Sequence, residues 1–309
     1  MTKTPIVQIE SLHSPALRYF DAVRRHGTMR AAARALNVAS PAVTRQILKV
    51  EKSVGAPLFL RLSSGLKLTA AGEIFADHAN LVLRDAHRAT YEIESIFGLE
   101  RGHLSLVTVE AAITSFLPSL LANFQEKYPG VNVQIETTGS LDIPDMVTSG
   151  KFDLGIAFSA PPQKNLLKVI SADFKIGAIV AASHPLAANS KIDFASCLKY
   201  PIVLADGNIA TQKLMLPLIE KNKLTMHSIL KTDSLELMRN LSRNGKHVMF
   251  GTKLNFENNN DNVKLVHIPL TDGGGVYAEL GVFTLKNGKP EPATGRFLSL
   301  CTDALEKFL

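Results

Sequence analysis

The feature that most restricts the fold lies between Thr28 and Lys67, where two apolar stripes at helical spacing follow one another across a very short connection. Met29, Ala32, Ala33 and Leu36 recur at i, i+3, i+4 and i+7, which places one apolar face on a helix. Val43, Ile47 and Val50 repeat the pattern. Asn37 to Pro41 is the connection, in which Ser40 is expected to cap the second helix and Pro41 to occupy its first position, where a missing N–H costs nothing. Two helices so joined form a helix-turn-helix. The polar side of the second one carries Ala42, Thr44, Arg45 and Lys49, short and cationic groups that suit base edges and phosphates in a major groove.

A charged helix face is often no more than solvated surface, so the distribution of charge decides. The chain has 309 residues and a formal net charge of +6, but through Gly72 there are eleven Lys/Arg against three acids, a net of +8, and the remainder nets −2. A basic head on a near-neutral body points to a polyanion partner for the head alone. The length predicts two or three domains, and a 46% hydrophobic composition is enough for a sizeable core. No run approaches the roughly 18 apolar residues of a membrane span. The N-terminus, MTKTPIVQIESLHSP, lacks the apolar core of a secretory signal, which predicts a cytoplasmic protein. Cys197 and Cys301 stand far apart and read as two core thiols.

Residues 1–15 carry little pattern and are expected to form an arm. Leu17, Phe20 and Val23 predict a first helix from Ala16, closed at Gly27, with Thr28 capping the next. After the second helix of the pair, Gly55 and Pro57 break the chain and Leu58, Phe59 and Leu60 return it to the core. Arg61 to Leu68 reads as a hairpin-like wing with Ser63, Ser64 and Gly65 at its tip, and Arg61 and Lys67 flank that tip where they can grip phosphates or enter a minor groove. Thr69 opens a long helix whose apolar positions Phe75, Ala79, Val82, Ala86, Ala89, Ile93 and Ile96 alternate in steps of four and three up to Gly98. Such a heptad stripe, roughly 40 Å long at 1.5 Å per residue, predicts pairing with a second copy.

Residues 99–103 read as a hinge, and strands alternating with helices follow. Strands over Leu104–Val109, Val131–Thr137 and Phe152–Phe158, with helices over Ser115–Tyr128 and about Asp142–Gly150, predict a parallel βαβαβ unit. A second α/β unit is expected from about Pro161, with strands Lys175–Ala181, Pro201–Ala205, His227–Thr232 and His247–Gly251 and helices Thr211–Lys223 and Ser234–Asn244. Asn258–Asn262 reads as a polar loop. Lys264–Ile268 then leads back, and Ala278–Leu285 with a helix over Thr294–Phe308 completes the first unit. Two such lobes with two crossovers make a clamshell whose cleft lies at the strand ends, where these folds hold small ligands.

With these pieces placed, the chain from about Ala16 to Leu309 resembles the LysR-type transcriptional regulators. The head carries the likeness most specifically, through Leu17-Arg18-Tyr19-Phe20, Ala31-Ala32-Ala33, Leu36, Pro41 to Ile47, Glu51, Gly55, Pro57-Leu58-Phe59, Arg61, Leu68-Thr69 and Ala71-Gly72. The body matches more loosely, through Leu117-Pro118, Phe124, Tyr128-Pro129, Gly150, Asp153-Leu154, His184-Pro185-Leu186 and Gly245. The resemblance implies an α/β protein with an N-terminal winged helix-turn-helix at 16–68, a linker dimerisation helix at 69–98, and an effector domain at 99–309 like type 2 periplasmic binding proteins. Lobe 1 would take in about 102–160 and 268–309, and lobe 2 about 161–267. It also implies binding to promoter DNA as a dimer of dimers under control of a small-molecule effector, with RNA polymerase a further candidate partner and no cofactor or metal.

Carried over by position, the DNA-contacting roles fall on Ser40, Pro41, Thr44 and Arg45 and on Arg61 and the wing; Thr28, Lys49, Ser63 and Lys67 complete the candidate set. The family's usual Ser-Gln before the proline is here Ala39-Ser40, one polar side chain fewer at the helix start. In the family, the loop after the first effector-domain strand often offers hydroxyls to an anion. This chain reads Thr108-Val109-Glu110-Ala111-Ala112-Ile113-Thr114-Ser115 there. A cleft-facing Glu110 would disfavour a simple anion and favour an amine or another hydrogen-bond donor; a solvent-facing Glu110 would leave the binding to Thr114 or Ser115. Thr108 belongs to the same stretch, and Thr137, Thr138, Asp206 and Asn208 at other strand ends are the remaining candidates.

No Gly-rich phosphate loop, GxSxG elbow or HExxH occurs, and the nine histidines show no metal-ligand spacing, so an enzyme is not expected. A solute-binding protein would suit the body, but not the basic head. A third alternative is an architectural protein that binds DNA without a small ligand, which would show no preference for its own promoter over bulk DNA.

Overall fold

The computed structural model describes residues 14–62, 65–96, 102–206, 210–221, 229–255, 263–286 and 288–308. The chain divides into two compact units, the first running to Gly102 and the second built mainly from His103 onward.

In the first unit, α1 (Pro15–His26) begins one residue earlier than its apolar pattern requires, because the Ser14 hydroxyl accepts from Ala16 N at 3.3 Å. It closes at Gly27, whose φ of 69° is left-handed and open to glycine at little cost. The Thr28 hydroxyl accepts from Ala31 N at 3.1 Å and starts α2 (Met29–Ala35). The turn that follows places Asn37 at φ 54°, a conformation that asparagine tolerates better than most residues. One expectation fails here. The extended residue before α3 (Ser40–Val54) is Ala39, whose methyl makes no cap bond, so Ser40 is already helical and Pro41 is the second helical residue. A cap needs an oxygen on the residue just outside the helix, and Ala39 has none to give.

Phe20, Val23, Ala32, Ala33, Val43, Ile47, Val50 and Leu58 form one buried core. The Phe20 ring lies 5.1 Å from that of Phe59 and 4.8 Å from that of Phe75. Strands β1 (Phe59–Leu62) and β2 (Gly65–Leu68) pair antiparallel as the wing, while the tip residues Ser63 and Ser64 lie outside the described residues. Leu58 and Phe59 return to the core as expected, whereas Leu60 is exposed. The Glu51 carboxylate near the end of α3 accepts from Leu58 N at 2.7 Å and Phe59 N at 3.3 Å, which ties that helix to the base of the wing.

The Thr69 hydroxyl accepts from Gly72 N at 2.9 Å and donates to the Pro57 carbonyl at 2.7 Å as α4 (Ala70–Ile96) begins. Gly72 is obligatory by space, since a Cβ there would sit 2.1 Å from the Leu58 carbonyl oxygen. Of the heptad stripe, Phe75 and Ala79 pack into the head's own core. Val82, Ala86 and Ala89 are half-buried, and Ile93 is exposed. Gly98 and residues 99–101 lie outside the described residues.

The second unit runs in order through β3 (Gly102–Thr108), α5 (Glu110–Thr114), α6 (Leu117–Lys127), β4 (Val131–Thr137), α7 (Ile143–Thr148), β5 (Leu154–Phe158), β6 (Leu166–Lys175), β7 (Gly177–Ala181), α8 (Phe194–Cys197), β8 (Ile202–Ala205), α9 (Ala210–Lys221), β9 (Ile229–Thr232), α10 (Leu235–Arg243), β10 (Val248–Gly251), β11 (Leu265–Pro269), β12 (Tyr277–Leu285) and α11 (Pro292–Glu306). Among the described residues these strands make two five-stranded sheets, in orders β4-β3-β5-β12-β6 and β11-β7-β10-β8-β9. β3 runs parallel to β5, and β8 parallel to β9 and β10, as the βαβ pattern predicts. The returning strands β12 and β7 are antiparallel to their neighbours. Asp153 fixes the β3–β5 pairing from within, its carboxylate accepting from Ser105 N at 2.9 Å.

Two readings of the sequence are corrected. The stretch after β3 is not a loop but a short helix, α5, consistent with the helix-favouring run Glu110-Ala111-Ala112 behind the extended Val109. The second lobe does not begin near Pro161: β6 belongs to the first sheet, and the chain crosses at Ile176. β6 is an edge strand, largely exposed, and its apolar residues are interrupted by Lys168, Ser171 and Asp173, so it lacks the unbroken apolar run that marks the central strands. The return crossing lies between β11 and β12, and the two crossings are bonded to each other, Ile176 N to Val276 O at 2.8 Å and Leu270 N to Ile176 O at 3.1 Å. Asn258–Asn262 lies outside the described residues.

Candidate DNA-reading surface and effector cleft

α3 divides its residues cleanly. Val43, Ile47 and Val50 are buried, while Pro41, Arg45 and Lys49 are exposed on the other side and Ser40 and Thr44 are half-buried between. The Thr44 hydroxyl donates to the Ser40 carbonyl at 3.2 Å, which leaves its lone pairs to accept. On the wing, Arg61 and Lys67 are both exposed and one register step apart across the hairpin, where Leu60 pairs with Lys67 and Arg61 with Leu66. Thr28 is exposed, and its hydroxyl oxygen already serves as the α2 cap. The structure thus brings Ser40, Pro41, Thr44, Arg45 and Lys49 onto one helix and Arg61 and Lys67 onto the hairpin that follows; Ser63 lies outside the described residues.

In the second unit Thr108, Thr137 and Asp206 lie at the carboxyl ends of β3, β4 and β8, the place such sheets offer to ligands. Thr108 ends β3, Thr137 ends β4, and the Thr138 N–H donates to the Thr108 carbonyl at 3.0 Å. Thr108 is wholly buried, and its hydroxyl finds no partner among the described residues, an arrangement that a polar ligand atom or an ordered water would satisfy. Thr137 is exposed, and the Thr138 hydroxyl is 3.4 Å from an Asp142 carboxylate oxygen. On the other lobe Asp206 is exposed at the end of β8, its N–H donating to the Thr232 carbonyl at 2.9 Å. Asn208 lies outside the described residues. Ser115 turns back into its own helix, donating to the Ala111 carbonyl at 2.9 Å.

Glu110 faces the opposite lobe rather than open solvent. One carboxylate oxygen accepts from Leu235 N at the start of α10 at 3.3 Å, and the other lies 3.9 Å from the Arg239 guanidinium. Arg239 donates to the Thr114 hydroxyl at 2.7 Å and pairs with Glu236 at 3.3 Å. Burial pushes the Arg239 guanidinium below its ordinary range, a shift opposed by Glu236 and Glu110. The Ser234 hydroxyl accepts from Leu237 N at 3.2 Å and caps the same helix. Arg239, Ser234 and the Leu235 N–H were not anticipated from the sequence. One signal was present, since Leu235, Met238 and Ser242 mark the buried face of α10 and Arg239 falls on that face.

Burial pushes both cysteine thiols up to about 12, which keeps them protonated and unreactive. Among the described residues no group of three or more His, Cys, Asp or Glu is placed to hold a metal, and no helix is long and apolar enough to cross a membrane.

Comparison with known proteins agrees with both units. The profile described as LysR substrate binding domain matches residues 97–306, and that described as bacterial regulatory helix-turn-helix protein, lysR family, matches residues 15–73. A probable RuBisCO transcriptional regulator of Cyanidioschyzon merolae is 28% identical over 231 residues, which cover 72% of this chain and 76% of that protein. Full-length OxyR from Pseudomonas aeruginosa, solved as a variant, has a TM-score of 0.70 at 16% identity over 98% of this chain and 96% of its own. Full-length CbnR complexed with its target DNA has a TM-score of 0.65 at 20% identity, covering 98% of this chain and 100% of that one. At such identities the two structures speak for the fold, whereas the first profile alone spans more than half of the chain. The chain therefore belongs to the LysR family of DNA-binding transcriptional regulators, with an N-terminal helix-turn-helix and a two-lobed effector-binding domain.

Proposed function

We propose that this regulator reads its operator with α3 in the major groove and the wing on the adjacent backbone or minor groove. Arg45, Thr44, Pro41 and Ser40 face base edges, while Lys49, Arg61, Ser63 and Lys67 hold phosphates, with Thr28 at the start of α2 beside them. The observation that carries the reading is the division of α3, whose apolar face is buried in the head while Arg45 and Lys49 are exposed opposite it. The half-buried part of the α4 stripe supports pairing of two copies, and two such pairs make the tetramer. A small-molecule effector binds at the strand ends near Thr108, Thr137, Thr138 and Asp206, with Asn208, Glu110, Thr114 and Ser115 as the remaining contacts. The protein works in the cytoplasm, adjusting access of RNA polymerase to a promoter, and uses no cofactor in doing so.

The direct test is an anisotropy titration of the full chain against the DNA upstream of its own gene and against bulk DNA at several salt concentrations. A regulator prefers its promoter by orders of magnitude. Equal affinity for both DNAs overturns the reading in favour of an architectural protein.

A further inference from the structure

Taking the effector cleft proposed above as given, we infer that Glu110 is a tethered ligand: an internal carboxylate that latches the two lobes together while the effector is absent. Two groups of lobe 2 make three contacts with two side chains of α5. The Leu235 N–H and the Arg239 guanidinium meet the Glu110 carboxylate at 3.3 and 3.9 Å, and Arg239 also donates to Thr114 at 2.7 Å. A helix N-terminus beside a buried cation is where a free carboxylate would ordinarily settle. Here the chain supplies that carboxylate itself, from a residue 125 positions earlier than its backbone partner.

The two halves of the latch differ in access. The Arg239 side chain is 4% exposed and held on several sides, whereas that of Glu110 is 39% exposed. A ligand entering from solvent therefore meets the carboxylate and not the guanidinium. Asp142 and Asp206 are exposed beyond the ends of β4 and β8, one on each lobe. The effector that releases this latch is one bearing an ammonium or guanidinium group that draws Glu110 away from Arg239. A small free anion finds its place already filled.

The test uses the full-length protein without DNA and reads hydrogen exchange at the first turn of α10, together with the melting temperature. In the wild type, the Leu235 amide is protected, and sodium acetate has no more effect than sodium chloride at equal ionic strength. Glu110→Ala speeds exchange there by about tenfold or more and lowers the melting temperature, and acetate, but not chloride, restores both. Propylammonium chloride speeds exchange in the wild type and leaves Glu110→Ala as it was. Thr114→Val, which keeps the carboxylate, gives a smaller loss that acetate does not repair.

Protection unchanged in Glu110→Ala, or no rescue by acetate, overturns the latch. Rescue by acetate with no response to propylammonium overturns the amine effector. Neither result touches DNA reading by α3, which stands or falls on the operator titration.

Discussion

α3 and α10 are both amphipathic helices that carry arginines or lysines, and they put them to opposite uses. On α3, Arg45 and Lys49 are exposed on the face away from the core. On α10, Arg239 lies on the buried face beside Leu235 and Met238 and is matched to Glu110, Glu236 and Thr114. A charge held inside the fold costs desolvation that only close partners offset, so α10 binds its cation to the protein. A charge left in water costs little and remains available, which is what the proposed docking of α3 on a polyanion requires. The same side-chain chemistry thus makes a structural joint in one helix and a recognition surface in the other.

The largest effect that separates the two helices is expected at Arg239. Arg239→Ala removes a buried cation and its packing and leaves Glu110 and Glu236 without it, at a cost of about 2–4 kcal/mol to the effector unit in urea unfolding. A loss below about 0.5 kcal/mol would mean that α10 offers its arginine just as α3 does. Arg45→Ala should leave unfolding within about 0.5 kcal/mol of wild type while weakening the operator complex by about 1–3 kcal/mol and bulk DNA much less. Operator affinity equal to wild type would show that α3 is not docked as proposed.

The start of each head helix gives a finer test. Thr28→Ala removes an observed cap and should cost about 1 kcal/mol of stability, whereas Ser40→Ala removes none and should cost less than about 0.5 kcal/mol, showing its loss in operator selectivity instead. Equal stability losses in the two would mean that Ser40 caps α3 in solution. The smallest change is expected for Lys67→Ala on the exposed wing. It should weaken all DNA sequences alike and reduce the slope of log affinity against log salt by about 1. A sequence-selective loss would move Lys67 from phosphate to base contact.

These two helices also mark how far the sequence could be read. The head was legible because its determinants are local: the spacing of Val43, Ile47 and Val50, the left-handed Gly27, and the close fit of Gly72 under Leu58 each act within a short stretch. Even there, cap placement at Ala39 and Ser40 turned on a shift of one residue, below the resolution of apolar spacing. The alternation of the body marked two lobes and the strand ends, but the edge strand β6, its apolar residues interrupted by charged and polar ones, left no mark in it, and the lobe crossing was placed too early. The pairing of Glu110 and Thr114 with α10 was not legible at all. It joins residues 125 positions apart, and no local pattern encodes which buried cation an acid will find.

The Glu51 carboxylate, bonded to the Leu58 and Phe59 N–H groups, gives the head a property of a gauge rather than a hand. Because the end of α3 is pinned to the first residues of the wing, the two parts proposed to face DNA cannot adjust their separation independently. A site with the right bases in one groove but a mismatched width in the next is then penalised as a whole. In the docking proposed above, the head measures the contour of its half-site as well as spelling it, and a sequence is rejected for its shape at base pairs that no side chain touches.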